Sequence, residues 1–421
     1  HGQLDPYYFK GKIDDFKMWN RALTAEEITE QCAIVDPETN NGEFSISAIG
    51  DQIYCPQSQQ KIVTDFSISN PEQNPIDAIY IQVSEGYVFG QDRLSLSGTY
   101  PGISASWSSG DGKLTITSSA GNQISENLLT TIVKNVVYEN NSADVQGVKQ
   151  FSITIGDANY LPETGHYYQF ISSVGISWHH AKTAAEGLTY YGLQGYLATL
   201  TSEVEARFAG KQSQGTGWIG GTDEVTEGVW KWASGPEEGE IFWNGGVNGS
   251  SPPGQNAFWN NLEPNNLGNE DYAHITAPNV GISGSWNDLP PSGTTGDYEP
   301  KGYIVEYGWP GDAPLNIAAS TKLTVPEIIM TEEYSGCGTA TVQLNDQASA
   351  GDVICFDSPT SQKPLFTGNS YTSSLTTTTD FYVLASCNWC LTGKRTKITA
   401  TINPVPVIQT NVRLKNCDED G

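Results

Sequence analysis

Short runs of alternating apolar and polar residues occupy two long parts of the chain, one on each side of its middle. Between residues 43 and 158, runs rich in Val, Ile, Tyr and Thr, such as residues 80–83 and 113–117, are separated by Gly, Asn and Ser. Residues 320–403 repeat the pattern with Thr- and Ser-rich runs such as residues 380–384. Short runs bounded by turn-forming residues are typical of strands. The pattern predicts a β-sandwich module for each part.

Residues 159–309 differ, because two of their segments follow a helical period. Residues 177–188 carry Trp and Ala at the spacing of one helix face. A second helix is predicted to begin at Ser202, where Glu205 completes a capping box. Short apolar runs and a long loop rich in Gly, Pro and Asn follow, and a loop of that length in a compact domain is usually functional or disordered. The sequence therefore predicts a multidomain, mainly β protein with one α+β domain.

Charge and hydropathy narrow the function classes. The 421 residues predict about three domains. The 48 acidic residues outnumber the 21 basic ones and give a net charge of −27, which excludes nucleic acid and anionic membrane surfaces as partners. No apolar run approaches the roughly 20 residues that a spanning helix needs, so no membrane insertion is predicted. The chain begins at His1 and shows no charged n-region followed by an apolar h-region, and we expect a piece of a larger exported polypeptide that works outside the cell or on its surface.

Cysteine usage is concentrated near the two ends of the chain. The seven cysteines are Cys32, Cys55, Cys337, Cys355, Cys387, Cys390 and Cys417. An odd number leaves at least one of them free or paired outside this sequence. Cys387 and Cys390 form a CxxC motif without a second CxxC or a His pair nearby, which disfavours a zinc site. We predict disulfides that join this motif to Cys337 and Cys355.

Oxygen-bearing side chains cluster in the α+β part and are the candidates for chemistry. The candidate ligands of one metal ion are Glu263, Asn265, Glu270, Asn287 and Asp288. Residues 222–228 add further carboxylates upstream. Calcium takes six to eight oxygens, and mixed carboxylate and amide sets suit it. Segments of this composition are often only solvated loops, but three of them in one domain favour a calcium site.

Short motifs follow one another in order through residues 165–307. They are 166–170 (HYYQF), 195–200 (GYLATL), 202–205 (SEVE), 218–220 (WIG), 227–232 (EGVWKW), 263–265 (EPN), 286–288 (WND) and 302–306 (GYIVE). This series resembles the C-type lectin domain of the carbohydrate-recognition type. The resemblance implies that residues 159–309 are a lectin-like domain with long calcium-binding loops and a cis peptide before Pro264.

The same resemblance implies how sugar and metal are bound. The five ligands above would hold one calcium and also contact the sugar, and a Glu-Pro-Asn loop is associated with mannose-type hydroxyl geometry. A second calcium would lie among Asp223, Glu227, Asn266, Glu270 and Asp271. Asn266 stands where some members have Asp, which implies a weaker second site. The domain also lacks the family's usual disulfides, so Trp and Tyr packing is expected to replace them.

Weaker resemblances concern the flanking segments. Residues 1–33 resemble the C-terminal remnant of a laminin-G-like domain, and residues 43–158 resemble cadherin-like sandwich repeats. Residues 320–403 resemble the Ig-like modules of bacterial adhesins. Residues 404–421 resemble a linker and the start of the C-terminal sorting region of type IX secretion cargo of Bacteroidetes.

Together these features predict a calcium-dependent, mannose-type carbohydrate-binding module of a secreted or cell-surface adhesin. Its cofactor is one or two Ca²⁺ ions, and its partners are glycans or glycoconjugates, with protein partners as an addition. The alternative is a lectin-like fold used for protein–protein adhesion or as a structural spacer. No nucleophile elbow, HExxH motif or phosphate-binding loop occurs, so no enzyme is predicted.

Overall fold

The computed structural model describes residues 44–119, 121–386 and 390–407. The prediction for residues 1–33 lies outside these residues, and so does most of the segment predicted at 404–421. Three of the seven cysteines, at positions 32, 387 and 417, also lie outside them. The described residues form three modules, which are taken in chain order.

The first module is a β-sandwich with one short helix. Ile79, Ile81 and Val83 alternate along one strand and are fully buried in its apolar core, as the period of two requires. The helix begins after the N-cap Ser125, whose side chain accepts a hydrogen bond from Leu128 N; the sequence pattern had indicated strands alone. The elements are β1 (Ser45–Ile49), β2 (Gln52–Ile53), β3 (Gln59–Lys61), β4 (Asp65–Ser69), β5 (Ala78–Glu85), β6 (Asp92–Leu96), β7 (Ile103–Ser108), β8 (Lys113–Ser118), α1 (Glu126–Val133), β9 (Val136–Asn140) and β10 (Val148–Thr154).

The main sheet of this module includes a strand from far along the chain. Its order is β2-β21-β10-β5-β8-β7, where β21 is Ala318–Thr324. β21 runs antiparallel to β10 and pairs Phe151 with Thr321. The predicted start of the third module at residue 320 therefore falls inside a strand of the first. The physical reason is that β21 completes the hydrogen bonds of β10, so the segment between them is an insertion into the sandwich.

The inserted segment is the α+β module. Both predicted helices are present. The first begins after the N-cap Ser177, and the second begins at the predicted capping box of Ser202 and Glu205. No helix in the described part of the chain is both long and apolar enough to cross a membrane. The elements are β11 (Asn159–Leu161), β12 (His166–Ser172), α2 (Trp178–Glu186), β13 (Thr189–Tyr190), β14 (Leu193–Leu197), α3 (Glu203–Gln212), β15 (Gly217–Thr222), β16 (Val229–Trp232), β17 (Ile241–Asn244), β18 (Tyr272–Ile275), β19 (Trp286–Leu289), a 3₁₀ turn (Gly296–Tyr298) and β20 (Gly302–Tyr307).

Aromatic rings fill the part of this module that lies under the long loop. The Trp232 ring stacks on Phe242 with centroids 4.2 Å apart, and the Trp286 ring meets Trp232 edge-on at 5.7 Å. Trp230 meets Trp259 edge-on at 4.8 Å, which ties the loop between β17 and β18 to the sheet. Offset and edge-on pairs of this kind contribute about 0.5–1.5 kcal/mol each beyond the area they bury. The cysteine-free module is therefore consolidated by ring packing.

The third module is a second β-sandwich. Sheets β22-β24-β27 and β23-β29-β28-β25-β26 share a core that contains Val342, Leu344, Val353 and Phe381. Its strands are β22 (Ile328–Thr331), β23 (Tyr334–Cys337), β24 (Ala340–Ala348), β25 (Asp352–Phe356), β26 (Phe366–Thr367), β27 (Ser370–Leu375), β28 (Thr379–Ser386) and β29 (Thr396–Asn403).

The disulfide pattern differs from the prediction. Cys390 is bonded to Cys55, 335 residues away in the sequence, so the bond joins the third module to the first. Cys337 is an exposed thiol and Cys355 a buried one. The predicted disulfides from the CxxC motif to Cys337 and Cys355 are thus wrong for Cys390. Connectivity cannot be deduced from cysteine spacing, and the expectation of local bridges overlooked a partner brought close by module docking.

Candidate metal centre

The long loop between Asn244 and Tyr272 carries the Glu-Pro-Asn motif. The Glu263–Pro264 peptide is cis, as predicted. Asn260 donates its main-chain N–H to Trp286 O at 2.7 Å, which fixes the loop beside β19. The strand β19 is itself paired with β18, so the motif rests against the sheet of the module.

Asp288 of β19 connects the strand to the loop. Its side chain is fully buried, and its carboxylate accepts N–H groups from Asn265 at 3.2 Å and from Asn266 at 2.7 Å. Within the loop, Glu270 Oε2 accepts the N–H of Leu267 at 3.0 Å, and Asn266 Oδ1 accepts the N–H of Glu270 at 2.7 Å. The structure therefore places the predicted residues from the two motifs side by side.

Several carboxyl groups here are held in an unfavourable environment. Burial together with the charge of Asp288 raises the pKa of Glu263. Burial also raises the pKa of Asp288. Burial and the charge of Asp288 raise the pKa of Glu270 to about 7. Such shifts arise where like charges are buried together, and a cation at this place would relieve them.

Three buried side-chain oxygens in these loops are available to bind calcium. Glu263 Oε2, Asn287 Oδ1 and Asp223 Oδ1 have no hydrogen-bond partner among the described residues. A buried polar atom without a partner costs about 1–3 kcal/mol, so such atoms need an explanation such as a bound ion. Within the described ranges, no three His, Cys, Asp or Glu side chains converge as a metal-binding group. The unpartnered carboxylate oxygens together with the amide oxygens of the asparagines form a mixed donor set, which is the kind that calcium accepts.

The residues predicted for a second calcium lie around Asp223. Asp223 is buried at the end of β15, and its Oδ2 accepts the N–H of Gly228 at 2.8 Å. Burial and the charges of Glu227, Asp271 and Asp288 raise the pKa of Asp223 to about 7. Glu227 is exposed, and the carboxylate of Asp271 accepts an N–H from Asn269 at 2.7 Å. Three of the five predicted side chains are thus neighbours.

Asn266 and Glu270, the other two residues predicted for the second calcium, form hydrogen bonds within the Glu-Pro-Asn loop. Sequence reasoning also missed three apolar side chains in the loops that carry the candidate ligands. Val225, Leu262 and Leu267 are all highly exposed. Their presence inside acidic and amide-rich loops could have been noticed in the sequence, because exposed apolar surface can mark a binding surface.

Comparison with known proteins supports two of the modules. A family model described as "Ig-like domain CHU_C associated" matches residues 324–404. The "Hepatic lectin" of Gallus gallus is 33% identical over 127 residues, which are 30% of this chain and 49% of the relative. The "CD209 antigen-like protein D" of Mus musculus is 31% identical over 122 residues, 28% of this chain and 41% of the relative. The chain contains a C-type lectin-like domain and an Ig-like domain.

Two further similarities extend the comparison. "Halomucin" of Haloquadratum walsbyi is 32% identical over 252 residues, which are 58% of this chain and 3% of that protein. The chain therefore spans a small fraction of halomucin and about half of the hepatic lectin. Among solved structures, the mouse scavenger receptor C-type lectin carbohydrate-recognition domain is 23% identical, with a TM-score of 0.25, and the match covers 36% of this chain and 95% of that domain.

Proposed function

We propose that the protein is a calcium-dependent, mannose-type carbohydrate-binding module of a secreted or cell-surface adhesin, without enzymatic activity. The observation that carries this proposal is the set of unpartnered buried oxygens at the junction of the Glu-Pro-Asn loop and β19. The lectin-like similarity supports sugar as the ligand class, since the relatives are named as lectins. The Cys55–Cys390 disulfide supports an oxidising, extracellular location.

Each site residue has a definite role in this proposal. Glu263, Asn265, Glu270, Asn287 and Asp288 would hold the first ion, and Asp223, Glu227, Asn266, Glu270 and Asp271 would hold the second. When bound, calcium would supply a positive charge that attracts the oxygens of sugar hydroxyls. Carboxylate oxygens of Glu263 and Glu270 accept hydrogen bonds from those hydroxyls, and the amides of Asn265 and Asn287 donate.

Calorimetric titration of the chain with Ca²⁺, followed by binding to immobilised mannan, tests the proposal. We expect saturable calcium binding, and mannan binding that is abolished by EGTA and restored by Ca²⁺. Glu263→Gln should weaken calcium binding by at least about 100-fold, because loss of an outer-shell partner alone costs 10–100-fold. Glu238→Gln removes an exposed carboxylate outside the site and serves as the control. Mannan binding that persists in EGTA would refute the calcium role.

The exposed apolar residues favour a second candidate, calcium-dependent or calcium-independent adhesion to a protein. Val225, Leu262 and Leu267 are exposed apolar side chains in the loops of the site, and a protein partner can bury such surface. Leu267→Ser should abolish adhesion to a protein-coated surface under this alternative. Under the sugar proposal, the same substitution should leave the inhibition of mannan binding by free mannose unchanged. Comparing the two readouts on one variant separates the candidates.

A further inference from the structure

A large cleft lies between the first sandwich and the lectin-like module. Its volume is about 980 Å³, at the upper end of the range of small-molecule sites. The sandwich contributes the segments around residues 84–89 and 108–111, and the lectin-like module contributes α3 and residues 278–283. None of the nine residues predicted to bind calcium or sugar is among the described residues that line it. The cleft is therefore separate from the candidate metal centre.

Unpartnered polar atoms line this cleft from both sides. Ser84 Oγ and Asp111 Oδ1 come from the sandwich, and Gln212 Oε1 comes from α3. In the part of the chain that the structure describes, none of these three buried atoms has a hydrogen-bond partner. Ser84 is 1% exposed and Gln212 is 5% exposed, so neither side chain is a freely hydrated surface group. Two of the three atoms can only accept hydrogen bonds, so they call for a ligand rich in hydroxyl donors.

Two aromatic side chains of the sandwich line the cleft: Tyr87 is held in place by its contacts, and Phe89 is exposed. Tyr87 is fixed because its hydroxyl donates to Ser109 O at 2.6 Å and its ring meets Trp107 edge-on. Lys211 reaches across from α3 and places its ammonium group 5.4 Å from the centre of the Tyr87 ring. Phe89 is 71% exposed and supplies an apolar face. Aromatic faces beside polar groups suit ligands with both C–H and O–H surfaces.

The charge of the lining selects among ligands with these properties. Glu85, Asp111 and Glu203 carry three negative charges, and Arg207 and Lys211 carry two positive charges, which leaves a net charge of −1. A polyanionic saccharide is disfavoured by this balance and by the net charge of the whole chain. Charges of both signs line the cleft and nearly cancel, so the lining itself favours neither a cationic nor an anionic ligand strongly. A neutral molecule with many hydroxyl groups remains.

We propose that the cleft is a second, calcium-independent binding site for a neutral oligosaccharide. Ser84, Asp111 and Gln212 hydrogen-bond its hydroxyls, Lys211 donates to its ring or hydroxyl oxygens, and Phe89 packs on its C–H face. Such a site lets one chain hold a glycan at two places, which raises the effective affinity through a high local concentration. It does not depend on the proposed function of the metal centre.

The test uses the full chain in EGTA and three neutral probes: mannotetraose, cellotetraose and maltotetraose. We expect calorimetry and saturation-transfer NMR to show saturable binding of at least one of them. Glu263→Gln, which weakens the metal centre, should leave this binding unchanged, so failure of one proposal is distinguishable from failure of the other. Absence of binding for all three probes overturns the inference, and so does binding of a basic peptide in their place.

Two variants localise the binding to the cleft. Phe89→Ala should weaken it about tenfold through loss of the ring contact, whereas Ile329→Ala, a similarly exposed apolar side chain in the Ig-like module, should not change it. Ser84→Ala should weaken binding about fivefold while the melting temperature stays the same, because Ser84 Oγ makes no hydrogen bond within the described structure. Unchanged affinity in both cleft variants would place the saccharide elsewhere.

Discussion

Two groups of buried carboxylates lie in the lectin-like module, and they differ in how their oxygens are satisfied. Glu205 accepts hydrogen bonds from Tyr168 Oη at 2.5 Å and from Thr201 N at 2.6 Å. Glu306 accepts the N–H of Thr199 at 3.0 Å and the hydroxyl of Tyr168 at 3.2 Å. In the candidate metal centre, Glu263 Oε2 and Asp223 Oδ1 have no such partner among the described residues. Burial of an acid alone therefore does not identify a site, whereas several unpartnered buried oxygens in neighbouring loops call for an explanation such as a bound ion.

The partnered group gives a prediction about pH. Burial and the charge of Glu306 raise the pKa of Glu205 from 4.5 to about 8. Because the folded-state pKa lies above the unfolded value, folding takes up a proton between these values. The contribution of Glu205 to stability is present below pH 4.5 and is lost as the pH rises to about 8. Glu205→Gln should remove this dependence while its amide still bonds Tyr168.

Guanidinium unfolding at pH 5 and pH 8 measures the effect. We expect the difference between the two midpoints to shrink in Glu205→Gln relative to the unsubstituted chain. Glu203→Gln alters an exposed carboxylate on the same helix and should not change that difference. An equal pH dependence in Glu205→Gln and Glu203→Gln would contradict the assignment.

At the scale of elements, local chemistry was readable from the sequence and non-local pairing was not. Ser202 marked the start of the second helix because its capping box with Glu205 spans only three residues. The Glu-Pro-Asn motif could also be recognised in the sequence, because its three residues are consecutive. The pairing of β21 could not be predicted from the sequence, because its partner β10 lies more than 160 residues earlier. The composition of a Thr- and Ser-containing strand does not indicate which strand it pairs with. The short helix α1 was not predicted, because it lies in a part of the chain whose sequence pattern favours strands.

The insertion makes β21 essential to a sandwich that precedes it in the sequence. The main-chain N–H of Lys322 donates to Asp51 Oδ1, on the side of β21 that faces away from β10. Successive N–H groups of a strand point to opposite sides, so the N–H of Ala319, three residues earlier, points toward β10. Ala319→Pro should remove that hydrogen bond and destabilise the sandwich by about 1–3 kcal/mol, the cost of an unsatisfied buried carbonyl. Ser320→Ala keeps the N–H and is the matched control.

Hydrogen–deuterium exchange along Val148–Thr154 measures this effect directly. We expect faster exchange of these amides in Ala319→Pro and unchanged exchange in Ser320→Ala. If Ala319→Pro exchanged as slowly as the unsubstituted chain, β21 would not be a working part of the first sandwich.

At the scale of the molecule, the three modules are joined by more than the chain itself. The lectin-like module is connected to the sandwich at both of its ends, through β10 and β21. The Ig-like module is connected by the Cys55–Cys390 disulfide and by the hydrogen bond from Thr392 Oγ1 to Pro56 O at 2.8 Å. Gly147 N also donates to Glu327 Oε1 at 2.6 Å beside this junction. These connections hold the lectin-like and Ig-like modules against the first sandwich.

The disulfide should therefore control the orientation of the Ig-like module. Cys390→Ser removes a covalent bond between two modules that keep separate cores, so we expect each sandwich to remain folded. The constraint itself is worth up to about 5 kcal/mol in the chain-entropy account. Small-angle scattering should show a larger radius of gyration, and limited proteolysis should cut faster near residues 325–327. Cys337→Ser removes the exposed free thiol and should behave as the unsubstituted chain. Identical scattering from both variants would mean that non-covalent contacts alone fix the junction.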